Sequence, residues 1–114
     1  MGVDPVSEEP LPPSDTIEQA TRLLDEGRPF AAHEVFEARW KDSPADERDL
    51  WQGMAQLCVA VTHAMRGNPT GARRLLGRGV GHLHDYGGPT YGLDVEEWVS
   101  RAQAAVEAAT PSDR

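Results

Sequence analysis

Cysteine is nearly missing from this 114-residue chain: Cys58 stands alone. No internal disulfide can form, so any fold must rest on packing. Cys58 lies in an apolar run and reads as a small buried hydrophobe. Long hydrophobic runs are missing as well. The longest uncharged stretch, Leu50 to Met65, falls short of the ~20 residues of a comfortable membrane span and contains Gln52, Gln56 and His63. No N-terminal hydrophobic segment suggests export, so the expected location is the cytoplasm, away from membranes. Basic residues are outnumbered, 11 against 19 acids, for a net charge of −8. That balance argues against a general affinity for nucleic acid or anionic lipid. Convincing strands are absent, and no Ser or Cys nucleophile stands beside a recognisable base.

What remains is the composition of one soluble domain with a single modest core, 39% hydrophobic and 26% charged. Its charge is uneven. Residues 1–50 hold 13 acids and 5 bases, whereas residues 51–93 hold Asp85 against Arg66, Arg73, Arg74 and Arg78. An anionic ligand would meet that second stretch, unless its arginines pair with acids of the first half.

The expected architecture is all-α, a compact bundle of about five helices. Residues 1–14 are rich in Pro, Glu and Ser and read as a disordered tail; residues 15–109 form the domain; residues 110–114 read as a frayed end. Helix one is expected from about Thr16 to Glu26, with Asp15 and Glu18 at capping-box spacing. Helix two should run from about Pro29 to Lys41. Helix three should start near Pro44, behind Ser43 as cap, and stop at Gly67. Helix four follows Asn68 and Pro69 and weakens through Gly77, Gly79 and Gly81. After the loop "YGGPTYGL", helix five opens on Asp94 and Glu97. "GRPFAAHEVF" at 27–36 echoes "GNPTGARRLL" at 67–76, as two stacked helical hairpins would. Ala32, Phe36 and Pro44 give the first unit a weak tetratricopeptide-like look.

Ionisable residues interrupt the apolar segment "FAAHEVFEARW" at 30–40. On a helical wheel His33 and Glu37 fall among Phe30, Phe36 and Trp40, with Glu34 at the edge of that face. A carboxylate in a dry setting is costly unless paired or coordinated. Helix three offers a polar line, Asp49, Gln52, Gln56 and His63, that would face His33 and Glu37 across an antiparallel hairpin. Three readings stay open. In the first, His33, Glu37 and His63 hold one divalent metal such as Zn, Mn or Fe, and Glu34 acts as general base on its water. In the second, the same groups form a structural hydrogen-bond network. In the third, the line faces solvent and Glu37 pairs with Lys41. "HLHD" at 82–85 has poor ligand spacing, and "GRGVG" at 77–81 reads as close helix packing or a frayed helix end. The three tryptophans read as core.

Three segments carry a resemblance. They are "FAAHEVFEARW", "LWQGMAQLCVAVTHAMRGNPTGARRLLGRG" and "YGLDVEEW". The chain resembles the domain-of-unknown-function 309 family, also labelled predicted metal-dependent hydrolases. The resemblance implies a small all-helical protein whose motif residues fall at His33, Glu34, Glu37, Trp40, Trp51, Gln52, Gly53, Gln56 and His63. It implies a metal-dependent hydrolase acting on an unidentified small molecule. The competing expectation is a non-catalytic helical-hairpin module that binds a protein partner or a second copy through an apolar groove.

Overall fold

Prolines and glycines set the limits of the helices. The structure is a computed structural model that describes residues 11–110; the expected tail ends at 1–10 and 111–114 lie outside the described residues. Five α-helices follow in order: α1 Pro13–Asp25, α2 Pro29–Lys41, α3 Arg48–Met65, α4 Pro69–Asp85 and α5 Val95–Ala109. A single 3-10 turn, Ala45–Glu47, leads into α3. No strand occurs among the described residues, and no helix among them is long and apolar enough to cross a membrane.

The joint between α1 and α2 is built like the joint between α3 and α4. Gly27 and Gly67 take φ of +78° and +75°, the left-handed region that suits glycine. In the first joint the Arg28 N–H donates to the Leu23 carbonyl and the Gly27 N–H to the Leu24 carbonyl, both at 2.9 Å. In the second, the Asn68 N–H donates to His63 and the Gly67 N–H to Ala64, at 2.9 and 3.1 Å. Both are Schellman stops. Pro29 and Pro69 then open the next helix, and Ala32 and Ala72 are wholly buried in its first turn or just beyond. The 40-residue echo in the sequence is this joint, used twice.

Three boundaries differ from expectation for local reasons. α1 starts at Pro13, not Thr16, because the Thr16 N–H already bonds the Pro12 carbonyl at 2.8 Å. The Thr16 hydroxyl and Arg39 Nη1 both donate to the Leu11 carbonyl, which ties this start to α2. Asp15 therefore lies inside the first turn and caps nothing. Ser43 does not cap α3; its hydroxyl donates back to the Trp40 carbonyl at 2.9 Å and closes α2. α4 runs unbroken through its glycines to Asp85, while α5 opens as expected on Asp94, whose Oδ1 accepts from the Glu97 N–H.

α3 is the central rod, packed against α2, α4 and α5. Its Leu50, Trp51, Met54, Leu57 and Cys58 are almost wholly buried. Phe36 of α2 stacks on Trp51 at 6.2 Å and meets Trp98 of α5 edge-on at 5.5 Å between ring centroids. Near the far end of α3 the core narrows to Ala60, Ala64, Ala72 and Val106. Small side chains there let α4 and α5 close in. Between these regions the α3 and α4 backbones nearly touch. A Cβ on Gly79 would lie 3.0 Å from the Gly53 carbonyl oxygen, and one on Gly53 would lie 2.8 Å from Leu83 Cγ. Glycines that look like breaks in the sequence permit this approach.

Candidate functional site

α2 buries a different face from the one its aromatic residues suggest. Pro29, Ala32, Val35 and Phe36 are inside. His33, Glu37 and Trp40 are half-buried, Glu34 is exposed, and Phe30 is 46% exposed. The wheel centred on His33 must turn by roughly 90° toward Ala32. Ala32 is wholly buried and lies on the same face as Pro29, Val35 and Phe36. His33 and Glu37 consequently form a rim, not a sealed pocket. His33 Nε2 lies 3.7 Å from Glu37 Oε2, one turn away, and the Glu37 carboxylate also reaches Lys41 Nζ at 4.0 Å. The His33 ring packs against Phe30 at 4.9 Å, and its Nδ1 is buried with no hydrogen-bond partner. Trp40 packs on the edge of the main core.

The polar line of α3 leans toward α4. Trp51 and Thr62 face α2, whereas Gly53 and Leu57 face α4, and these two sides are roughly 180° apart on the helix. Asp49, Gln52, Gln56 and His63 lie between them, all half-buried. At one end Asp49 Oδ1 accepts from His82 Nδ1 of α4 at 2.8 Å. At the other end His63 Nδ1 meets Asn68 Nδ2 at 3.1 Å. Asn68 caps α4, its Oδ1 accepting from the Gly71 N–H at 3.0 Å. That bond fixes the amide, so its NH2 group donates to His63 Nδ1 and the neutral ring keeps its proton on Nε2. A Cβ at Gly71 would lie 2.6 Å from Asn68 Nδ2 and 3.2 Å from His63 Nδ1. Only glycine leaves room for this interlock.

The metal expectation can now be tested on its donors. A ligand set of His33, Glu37 and His63 requires three groups to converge. Among the described residues no group of three His, Cys, Asp or Glu side chains could hold a metal ion. His33 and Glu37 stand together, but His63 faces Asn68, and ligation through its Nε2 needs the opposite tautomer. Glu34 is exposed and lies outside any such cluster. Gln56 Oε1 is buried with no hydrogen-bond partner. Among the described residues, His33, Glu37 and His63 do not converge as a three-ligand set. Cys58 offers no alternative, because burial pushes its thiol well above the ordinary range.

Two arrangements were not legible in the sequence. The first is a latch at the start of α3. The Glu47 carboxylate accepts from Trp51 Nε1 at 3.1 Å and from the Tyr91 hydroxyl. Tyr91 stacks on Trp51 at 6.0 Å and holds a positive φ of 56°. The Tyr91 bond, helped by that from Trp51 and by the Arg39 charge, outweighs desolvation and lowers the Glu47 pKa. The same bond pushes Tyr91 up to about 12.

The second is an open groove of about 440 Å³ where the first turn of α2 meets the last turn of α3. Phe30 and Pro29 form one wall; Thr62, Met65 and Arg66 form the other, and Arg28 stands at the mouth. Met65 is 61% exposed. The Arg66 guanidinium lies 5.8 Å from the Phe30 ring centroid. The sequence signal was present in Met65–Arg66 just before the Gly67 stop and in Phe30 just after Pro29, but both read as ordinary helix ends.

Comparison with known proteins gives a family and no activity. Over 52 residues the chain is 40% identical to "Uncharacterized protein YpuF" of Bacillus subtilis (strain 168), covering 45% of this chain and 30% of that relative. The shared stretch thus spans under a third of the relative's length. No solved structure matches the chain. Residues 17–75 match the model described as "Domain of unknown function (DUF309)". That match covers half of the chain, from α1 into α4, and takes in the His33–Glu37 rim, the His63–Asn68–Gly71 interlock and the groove; the chain belongs to this family.

Proposed function

We propose that the protein is a non-catalytic helical-hairpin binding module. Its working surface is the groove between the start of α2 and the end of α3. The observation that carries this reading is the pairing across one groove of Phe30 and Met65, the two most exposed large apolar side chains among the described residues. Exposed apolar side chains facing one another across a groove are a feature of interaction sites. The polar residues of α2 and α3 serve the scaffold in this reading. His63 holds the α3–α4 corner, Asp49 ties down the other end, and Glu37 sits between His33 and Lys41.

The enzyme reading, a metal-dependent hydrolase with Glu34 as base, keeps one supporting observation: the orphaned Nδ1 of His33 beside a carboxylate. The two readings separate cleanly in the full chain purified without a histidine tag. Elemental analysis is expected to find no stoichiometric Zn, Mn or Fe, and adding each metal is expected to leave Tm unchanged. Metal-dependent turnover that disappears in Glu34→Gln, with stability intact, would overturn the binding-module reading.

A further inference from the structure

The groove has a chemical bias that narrows its occupant, an inference that rests on the binding-module reading. Its lining includes Arg28 and Arg66 and no acidic residue, in a chain of net charge −8. Neither guanidinium is held tightly. Arg28 is about half exposed and meets Glu26 only at 3.7 Å, a contact that solvent weakens. Arg66 makes a ring contact with Phe30 and no ion pair among the described residues. Thr62, by contrast, is unavailable, because its hydroxyl donates to the Cys58 carbonyl at 2.9 Å. The floor and walls between the arginines are apolar, from Pro29, Phe30 and Met65. Aromatic, Met and Arg side chains are the residues enriched at the centre of protein interfaces.

We infer that the groove takes a short acidic peptide segment of a partner protein, with an apolar side chain against Phe30 and Met65 and flanking carboxylates on Arg28 and Arg66. A long polyanion such as nucleic acid is disfavoured, since the acid-rich remainder of the chain repels it. A short segment needs to meet only the local positive charge. The competing occupant is a second copy of this chain, whose residues 3–9 include Val3, Asp4, Val6, Glu8 and Glu9.

The test uses the full chain and a short fluorescein-labelled peptide of Glu, Leu and Phe, with a control in which Gln replaces each Glu. Anisotropy is expected to show saturable binding of the acidic peptide that weakens with added salt. Arg66→Glu and Phe30→Ala should each weaken it by roughly tenfold or more. Both side chains are exposed, so the variants are expected to fold, and circular dichroism checks that they do. Absent binding, or binding indifferent to both substitutions, overturns the assignment. Equal binding of the Gln control that Phe30→Ala still abolishes overturns the acidic preference while keeping the groove as the working surface. Sedimentation showing a dimer that Arg66→Glu dissociates would make a second copy the occupant and overturn it too. Metal-dependent turnover would instead strike the underlying reading.

Discussion

Gly71 and Gly77 differ by six positions in one helix, and the structure asks opposite things of them. A side chain at Gly71 collides with the Asn68 amide and crowds His63, whereas one at exposed Gly77 meets nothing within 4 Å. Gly71→Ala should lower stability by about 1–2 kcal/mol through loss of the α4 cap and its histidine partner. Gly77→Ala should raise it by about 0.5–1 kcal/mol, because alanine loses less entropy in a helix. Urea midpoints of the two variants check both signs. The latch gives a pH prediction. Glu47 has a lowered pKa in the fold, so its contribution is present above the unfolded carboxylate range and fades as pH falls through the folded value. Tyr91 is raised, so its contribution is present below the ordinary phenol range and fades as pH climbs toward about 12. Tyr91→Phe should flatten both limbs of a stability-versus-pH curve. At this scale the polar residues were legible, but their partners were not. Asn68 precedes Pro69 at a helix start and Tyr91 falls in the loop before helix five, and nothing in a sequence pairs Tyr91 with Glu47, 44 positions away.

The helices themselves were legible wherever local chemistry decided them. Pro29, Pro69, Gly27, Gly67 and the Asp94–Glu97 cap all act as their types suggest. Tertiary packing decided the rest. α4 looked weakened by glycine because the sequence does not show that Gly79 sits against the backbone of α3. The Gly53–Gly79 contact predicts that Gly79→Ala forces α3 and α4 apart and costs about 1–3 kcal/mol, as overpacking does. Reduced amide-exchange protection confined to α3 and α4 would confirm that mechanism, and unchanged protection would refute it. α2 was misjudged in orientation for a related reason. Three aromatic residues suggested one inward face, yet Phe30 is exposed at the groove while the buried face centres on Ala32, Val35 and Phe36. The polar line on α3 was real as a pattern. It borders α4, and Asp49 and His63 fasten that helix at its two ends.

At the scale of the whole molecule, an all-helical domain in this family stands on a core that includes two of its three tryptophans, Trp51 and Trp98. The exposed apolar side chains Phe30 and Met65 lie instead at the groove between α2 and α3. The charge asymmetry seen in the sequence reappears there, since Arg66 comes from the arginine-rich second stretch. The account turns on whether His63 is a structural acceptor or a metal ligand. Nitrogen-15 NMR of the histidine rings in the full chain decides this directly. The account predicts that His63 carries its proton on Nε2, accepts at Nδ1, and keeps both signals unchanged when stoichiometric zinc is added. A ring protonated at Nδ1, with His33 and His63 signals shifting together on zinc addition, would contradict it.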